Sequence, residues 1–212
     1  MTRSTGEFRA ASAWDAAVEH RFVRELADGT VDDEVFTRYL VADRSFVETL
    51  TGVFGRALAQ APPDSRAPLA DFLGVLTDEE DDYFERALGA LPDPPGDPAR
   101  HPTTGAFRDH LLAAAGEGGY AETLAVLVPA EWCYLDWARG VETPPEPFYL
   151  REWVELHATD EFAEFVDWLR AELDREVETL SPRRTDRVRA RFERTVRLEA
   201  DFFDAAYDGS SA

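Results

Sequence analysis

The sequence contains no lysine: arginine supplies all 22 basic side chains, against 43 aspartates and glutamates. It has one cysteine, Cys133, which excludes a disulfide framework and favours a reducing compartment, so we expect a cytoplasmic protein. A net charge of −21 argues against nucleic-acid binding, which depends on basic patches. No apolar run approaches the ~18–20 residues of a membrane-spanning helix, which argues against a membrane protein.

Two explanations remain for acid excess without lysine. The protein is either kept soluble at very high salt by hydrated carboxylates or encoded by a GC-rich genome that favours arginine codons. Codon bias does not account for the acidity, so we favour a halophilic protein.

Helical spacing of apolar residues covers most of the chain, and no segment alternates as a strand would. The pattern predicts one all-α domain over residues 1–212, a single bundle of about eight helices, with flexible ends at 1–6 and 208–212. The expected helices are about 7–28, 32–61, 65–91, 103–115, 120–139, 148–157, 160–179 and 181–207.

Three of these helices carry a carboxylate inside an apolar stripe: Asp43, Glu131 and Glu199. A weaker fourth case is Glu80. Buried acids are usually paired with arginine or hydrogen-bonded to the backbone. No arginine lies three or four positions from any of the first three, so pairing within the same helix is not expected. We therefore predict one polar cavity lined by the three acids, with aromatic walls from Phe46, Tyr134 and Phe202.

A bound metal or cofactor is not expected in this cavity. Di-metal bundles use Glu-x-x-His pairs, and none of the four histidines has an acid three residues before it. Haem ligation by His20 remains a lesser alternative. Cys133 lies one position off the stripe of Glu131 and Tyr134, which favours a buried structural thiol over a nucleophile.

The order and spacing of several short motifs resemble the TenA/thiaminase II family of thiamine salvage over nearly the whole chain. The matching segments are 20–23 (HRFV), 28–30 (DGT), Phe36 with Tyr39 and Asp43, 119–122 (GYAE), Pro129 with Trp132 and Tyr134, and 199–207 (EADFFDAAY). The resemblance implies a haem-oxygenase-like helical fold and a homotetramer. It also implies that Asp43 and Glu199 contact an aminopyrimidine, Glu199 as acid/base, and that Tyr134 lines the site.

Departures from the family pattern suggest a particular branch. The nucleophilic cysteine of the family falls at Ala130, and three further tyrosines of the site are replaced by Phe46, Phe107 and His157. This is similar to a cysteine-less branch that uses a pair of glutamates, and Glu131 is our candidate for the second one. Cys133 is displaced by about 4.5 Å along the helix, too far to replace the nucleophile.

The resulting hypothesis is a hydrolase of aminomethyl- or formylaminomethyl-pyrimidines, with Glu199 and Glu131 as its catalytic residues. The expected substrate-binding residues are Asp43, Tyr134, Phe46, Phe107, His157 and Phe202. The alternatives are a pyrimidine-binding protein without catalysis, a regulatory protein acting through a protein partner, and a redox enzyme of the wider superfamily.

Overall fold

The computed structural model describes residues 4–94 and 96–208, with backbone only for 78–80. These residues form ten α-helices, and no β-strand occurs among them. The helices are α1 (Ser4–Ala11), α2 (Trp14–Val18), α3 (Arg21–Ala27), α4 (Asp33–Gln60), α5 (Arg66–Ala90), α6 (Pro102–Glu117), α7 (Tyr120–Ala138), α8 (Phe148–Ala158), α9 (Asp160–Val177) and α10 (Pro182–Ala205). The prediction of an all-α single-domain bundle is confirmed. The side chain of Glu80 lies outside the described part of the chain.

The segment predicted as one helix over 7–28 is three helices, because side chains interrupt it twice. The hydroxyl of Ser12 donates to the carbonyl of Arg9 at 2.7 Å, just beyond the end of α1. His20 adopts an extended conformation, and its Nδ1 accepts the backbone N–H of Phe22, so that it caps α3. Such local bonds compete with the helical backbone ladder, and apolar periodicity does not reveal them.

Gly29 ends α3 as the sequence predicts. Its φ of 68° is in the left-handed region, and the backbone N–H groups of Gly29 and Thr30 donate to the carbonyls of Leu26 and Glu25. This is the Schellman arrangement that closes a helix. A Cβ at Gly29 would also come within 3.2 Å of the Glu146 carbonyl oxygen, so glycine is required on both grounds.

The chain ends were expected to be flexible at 1–6 and 208–212. Residues 1–3 and 209–212 lie outside the described residues. Residues 4–6 belong to α1, where the backbone N–H of Thr5 donates to the Asp174 carboxylate at 2.8 Å. This bond joins the first helix of the bundle to α9.

The central helix of the bundle is α7, which packs against α6, α8, α9, α10 and α4. All of its side chains are buried except those of Tyr120 and Asp136, which explains its nearly continuous apolar sequence. Residues on several sides of α7 therefore face protein. Of the described helices, none is long and apolar enough to cross a membrane.

Candidate active site

The acids predicted from the apolar stripes are buried on three helices that pack together. Asp43 on α4, Glu131 on α7 and Glu199 on α10 have exposed fractions of 2%, 6% and 1%. Helix α7 packs directly against both α4 and α10, which brings the three stripes to one region of the core. Spacing within each helix predicted the inward direction, and helix packing supplies their proximity.

Of the three acids predicted to line one cavity, Asp43 and Glu131 line a small cavity, which we call the acid cavity, and Glu199 does not belong to its lining. Its volume is about 20 Å³, and its lining consists of Asp43, Phe46, Val47, Leu50, Ala130, Glu131, Tyr134, Trp153 and His157. A volume of this size holds about one water molecule. A ring-shaped ligand can therefore enter only if the wall side chains move apart.

Glu199 interacts electrostatically with both of these acids. Its complete burial, together with the negative charges of Asp43 and Glu131, raises the pKa of the Glu199 carboxyl well above its usual range. Its Oε1 is buried and has no hydrogen-bond partner among the described residues. The raised pKa favours the protonated form of Glu199, which is the form that can donate a proton.

Other buried acids differ from Glu199 because they have arginine partners. Glu122 on α7 forms ion pairs with Arg187 and Arg191 of α10, at 3.3 and 3.6 Å. Glu172 on α9 accepts two bonds from Arg175. Glu122 therefore has arginine partners on a neighbouring helix, as buried acids usually do. No described arginine forms an ion pair with Glu199.

A hydrogen bond of 2.8 Å joins the hydroxyls of Tyr39 on α4 and Tyr134 on α7. Both side chains are buried, and burial is the main cause that raises the pKa of each phenol well above 10. The charge of Asp43 raises both pKa values further. The two phenols therefore stay neutral and act as hydrogen-bonding groups beside the acids.

His157 is a neutral side chain in the wall of the acid cavity. Its Nδ1 lies 2.8 Å from the backbone carbonyl of Trp153, which can only accept, so Nδ1 carries the hydrogen. Burial lowers the pKa of His157 to about 4. Its Nε2 is consequently a hydrogen-bond acceptor at neutral pH.

The remaining two predicted aromatic residues lie against Phe46. The ring centroids of Phe107 and Phe202 are 4.6 and 5.9 Å from that of Phe46, which itself lines the acid cavity. Phe202 and Tyr39 also border a second cavity of about 590 Å³. Of the predicted aromatic residues, Phe46 and Tyr134 therefore line the acid cavity, whereas Phe107 and Phe202 pack against Phe46 outside its lining.

The comparisons with known proteins agree with this architecture. The model of the TENA/THI-4/PQQC family matches residues 8–209. The chain belongs to this family. An aminopyrimidine aminohydrolase of Halalkalibacterium halodurans is 29% identical, covering 94% of this chain and 92% of the relative. Another of Helicobacter pylori is 22% identical, covering 93% and 94%. A solved TenA homologue from Pyrococcus furiosus superposes with a TM-score of 0.86 at 23% identity, covering 96% of this chain and all of the other, and supports the fold.

Membership of the TENA/THI-4/PQQC family and the aminohydrolase relatives confirm the prediction of an enzyme, a hydrolase of the thiaminase II-like kind. In this member of the family, Cys133 is fully buried, and burial raises the pKa of its thiol. Ala130, which the resemblance to the family places at the nucleophile position, lines the acid cavity. Within the described residues, no group of three or more His, Cys, Asp and Glu side chains could hold a metal ion.

Two residues of the site were missed as candidates from the sequence. Trp153 on α8 lines the acid cavity, and Tyr39 bonds to Tyr134. The signal for Tyr39 was present, since it is four residues before Asp43 in the family motif. For Trp153 the only signal was its i, i+4 relation to His157, which an ordinary core tryptophan would share.

Proposed function

We propose that the protein is a thiamine-precursor salvage hydrolase acting on an aminomethyl- or formylaminomethyl-pyrimidine. The observation that carries the proposal is the burial of three acids from three packed helices, where burial and the charges of Asp43 and Glu131 raise the pKa of the Glu199 carboxyl. Buried acids brought together in this way destabilise a fold, and such groups with perturbed pKa values are typical of functional sites. The aminopyrimidine aminohydrolase relatives support the substrate class.

Asp43 and Glu199 bind the aminopyrimidine edge in this proposal. A carboxylate accepts hydrogen bonds from an exocyclic amino group, and a neutral carboxylic acid donates to a ring nitrogen. The side chains of Phe46 and Tyr134 contact the faces of the ring, while Phe107 and Phe202 support Phe46 from behind. The acid cavity widens around the ligand because its volume of about 20 Å³ is too small for a pyrimidine.

Glu131 and Glu199 divide the chemistry between them. Glu131 takes a proton from water as the general base, in place of attack by the missing cysteine thiolate. Glu199 gives its proton to the leaving nitrogen as the general acid, which its raised pKa favours. The position of Glu131 next to Ala130, the residue at the family nucleophile position, supports the assignment to the cysteine-less glutamate-pair branch.

The experiment is a product assay on purified protein at low and high salt. Ammonia is measured with 4-amino-5-aminomethyl-2-methylpyrimidine, and formate with its formylamino derivative. Turnover of either compound is expected. Release of neither product would contradict the proposal, and ligand-dependent thermal stabilisation without turnover would identify a non-catalytic pyrimidine-binding protein instead.

We further propose that the enzyme is a cytoplasmic homotetramer adapted to high salt. A groove of about 600 Å³ between α5, α8 and α9 supports self-association, since Phe72, Phe162, Phe165 and Trp168 line much of it. Size-exclusion chromatography with light scattering tests this assembly. A monomer at all protein and salt concentrations would rule it out.

A further inference from the structure

The indole N–H of Trp153 is a buried donor beside the acid cavity. The side chain is 1% exposed, and its Nε1 has no hydrogen-bond partner among the described residues. Tryptophan nitrogen can only donate, and buried donors are rarely left unsatisfied in native proteins. Because Trp153 also belongs to the lining of the acid cavity, its unsatisfied donor points to a ligand with an acceptor atom.

The polar groups around Trp153 are mainly acceptors or already engaged. His157 donates its Nδ1 hydrogen to the Trp153 carbonyl and retains only the acceptor Nε2. The hydroxyls of Tyr134 and Tyr39 share one hydrogen bond, which uses one of their two hydrogens. The proton of Glu199 is assigned above to the leaving nitrogen. The indole N–H of Trp153 is therefore an unpartnered donor, on a residue of the cavity lining, for a carbonyl oxygen.

We propose that Trp153 Nε1–H binds the carbonyl oxygen of an acylamino substrate and stabilises the negative charge that develops on it. The inference rests on the proposed hydrolase and assigns this chain a residue specific for the formylamino compound. A fixed donor in a site closed to water stabilises an oxyanion strongly, because it need not reorient during the reaction.

The reaction balances as an amide hydrolysis. Water transfers a proton to Glu131 as its oxygen bonds to the formyl carbon, and the carbonyl π electrons move to oxygen, where Trp153 donates. The carbonyl then re-forms as the C–N bond breaks, with its electron pair going to nitrogen, and the Glu199 proton goes to that nitrogen. Formic acid and the aminomethylpyrimidine are released, and return of the proton from Glu131 to Glu199 restores the site.

Hydrolysis of the aminomethyl compound does not require an oxyanion donor such as Trp153. Its C–N bond breaks at a saturated carbon, so no oxyanion forms at any stage. The contribution of Trp153 is consequently expected to appear in the ratio of the two activities, a quantity insensitive to general loosening of the site.

Trp137 provides a matched control for Trp153. Its Nε1 is also buried without a partner, and its ring also contacts Tyr134 and His157, with centroids 5.8 and 6.1 Å apart. It does not belong to the lining of the acid cavity. Both Trp153→Phe and Trp137→Phe remove one unpartnered indole N–H from the core.

The test measures kcat and KM of both variants on the two pyrimidines. For Trp153→Phe, the ratio of formylamino to aminomethyl kcat is expected to fall about 100-fold, the usual effect of losing one oxyanion donor. For Trp137→Phe the ratio stays at the wild-type value. An unchanged ratio in Trp153→Phe overturns the inference while leaving the proposed hydrolase intact, whereas an inactive wild type overturns both.

A measurement on the wild-type chain avoids dependence on the folding of the variant. The five tryptophans give indole ¹H–¹⁵N resonances that are assigned with single Trp→Phe variants, the Trp153 signal by elimination if necessary. Binding of the formylamino compound is expected to shift the Trp153 indole proton downfield, as hydrogen bonding does. The absence of a shift at saturation overturns the inference.

Discussion

The hydroxyls of Tyr39 and Tyr134 lie 2.8 Å apart and join α4 to α7 beside the buried acids. One hydroxyl donates and the other accepts, and both side chains are buried. The bond also connects the helix that carries Asp43 to the helix that carries Glu131, so it positions the two acids that line the acid cavity.

A double-mutant cycle measures this bond. Tyr39→Phe and Tyr134→Phe are each expected to lower the free energy of unfolding by about 1–3 kcal/mol, since each leaves the other hydroxyl buried and unsatisfied. The double variant is expected to lose less than the sum, because it leaves no orphaned hydroxyl. Urea unfolding of the four proteins gives the coupling energy, and strict additivity would contradict the bond.

Glu199→Gln is expected to lower activity while raising stability. Loss of the proton donor reduces kcat by about 10²–10⁴-fold. The pKa of Glu199 is raised in the folded state and ordinary, near 4.5, in the unfolded state, so folding takes up a proton above that pH. Stability of the wild type therefore falls as pH rises, by up to about 1.4 kcal/mol per unit until the folded pKa is reached.

The melting temperature of Glu199→Gln is thus expected to exceed that of the wild type only slightly at pH 4 and by more towards pH 7. Glu122→Gln is the control, because Glu122 is a buried acid with the partners Arg187 and Arg191. It should lose about 1–2 kcal/mol, since the arginines are partly exposed, and keep wild-type kcat. Identical behaviour of the two variants would argue that Glu199 is structural.

Cys133→Ala is expected to retain kcat within about twofold, at a cost of about 1 kcal/mol for the space it leaves. Burial raises the pKa of the thiol, so it is protonated and shielded. Consistent with this, a thiol reagent should modify Cys133 only after unfolding. Loss of turnover in a folded Cys133→Ala protein would instead indicate that Cys133 is the nucleophile.

Salt is expected to raise both the melting temperature and kcat. At about 2 M KCl the Debye length is only a few ångströms, so repulsion among the acids behind the net charge of −21 is screened. Thermal melts and turnover assays at about 0.05 and 2 M KCl test this. Inhibition at the higher concentration would favour the codon-bias explanation for the absence of lysine.

Most helix limits followed from sequence because glycine and proline end helices by local rules. Gly29 closes α3 through its own backbone, and Pro182 stands at the start of α10. The division of the first segment at Ser12 and His20 did not follow, because both bonds depend on side-chain placement that apolar periodicity does not encode. The hydrogen bond between Thr5 and Asp174 did not follow from the sequence either, because the two residues are 169 positions apart.

The sequence by itself indicated that Asp43, Glu131 and Glu199 point inward, because helical period assigns them to apolar faces. It did not indicate the buried acids Glu122 and Glu172. It also determined, through the order of its motifs, the family to which the chain belongs. Only the tertiary structure decided that the pKa of Glu199 is raised, since this pKa depends on burial and on charges from two other helices. Only the tertiary structure also brought Trp153 of α8 to the acid cavity, because the packing angle of a helix is set by its partners.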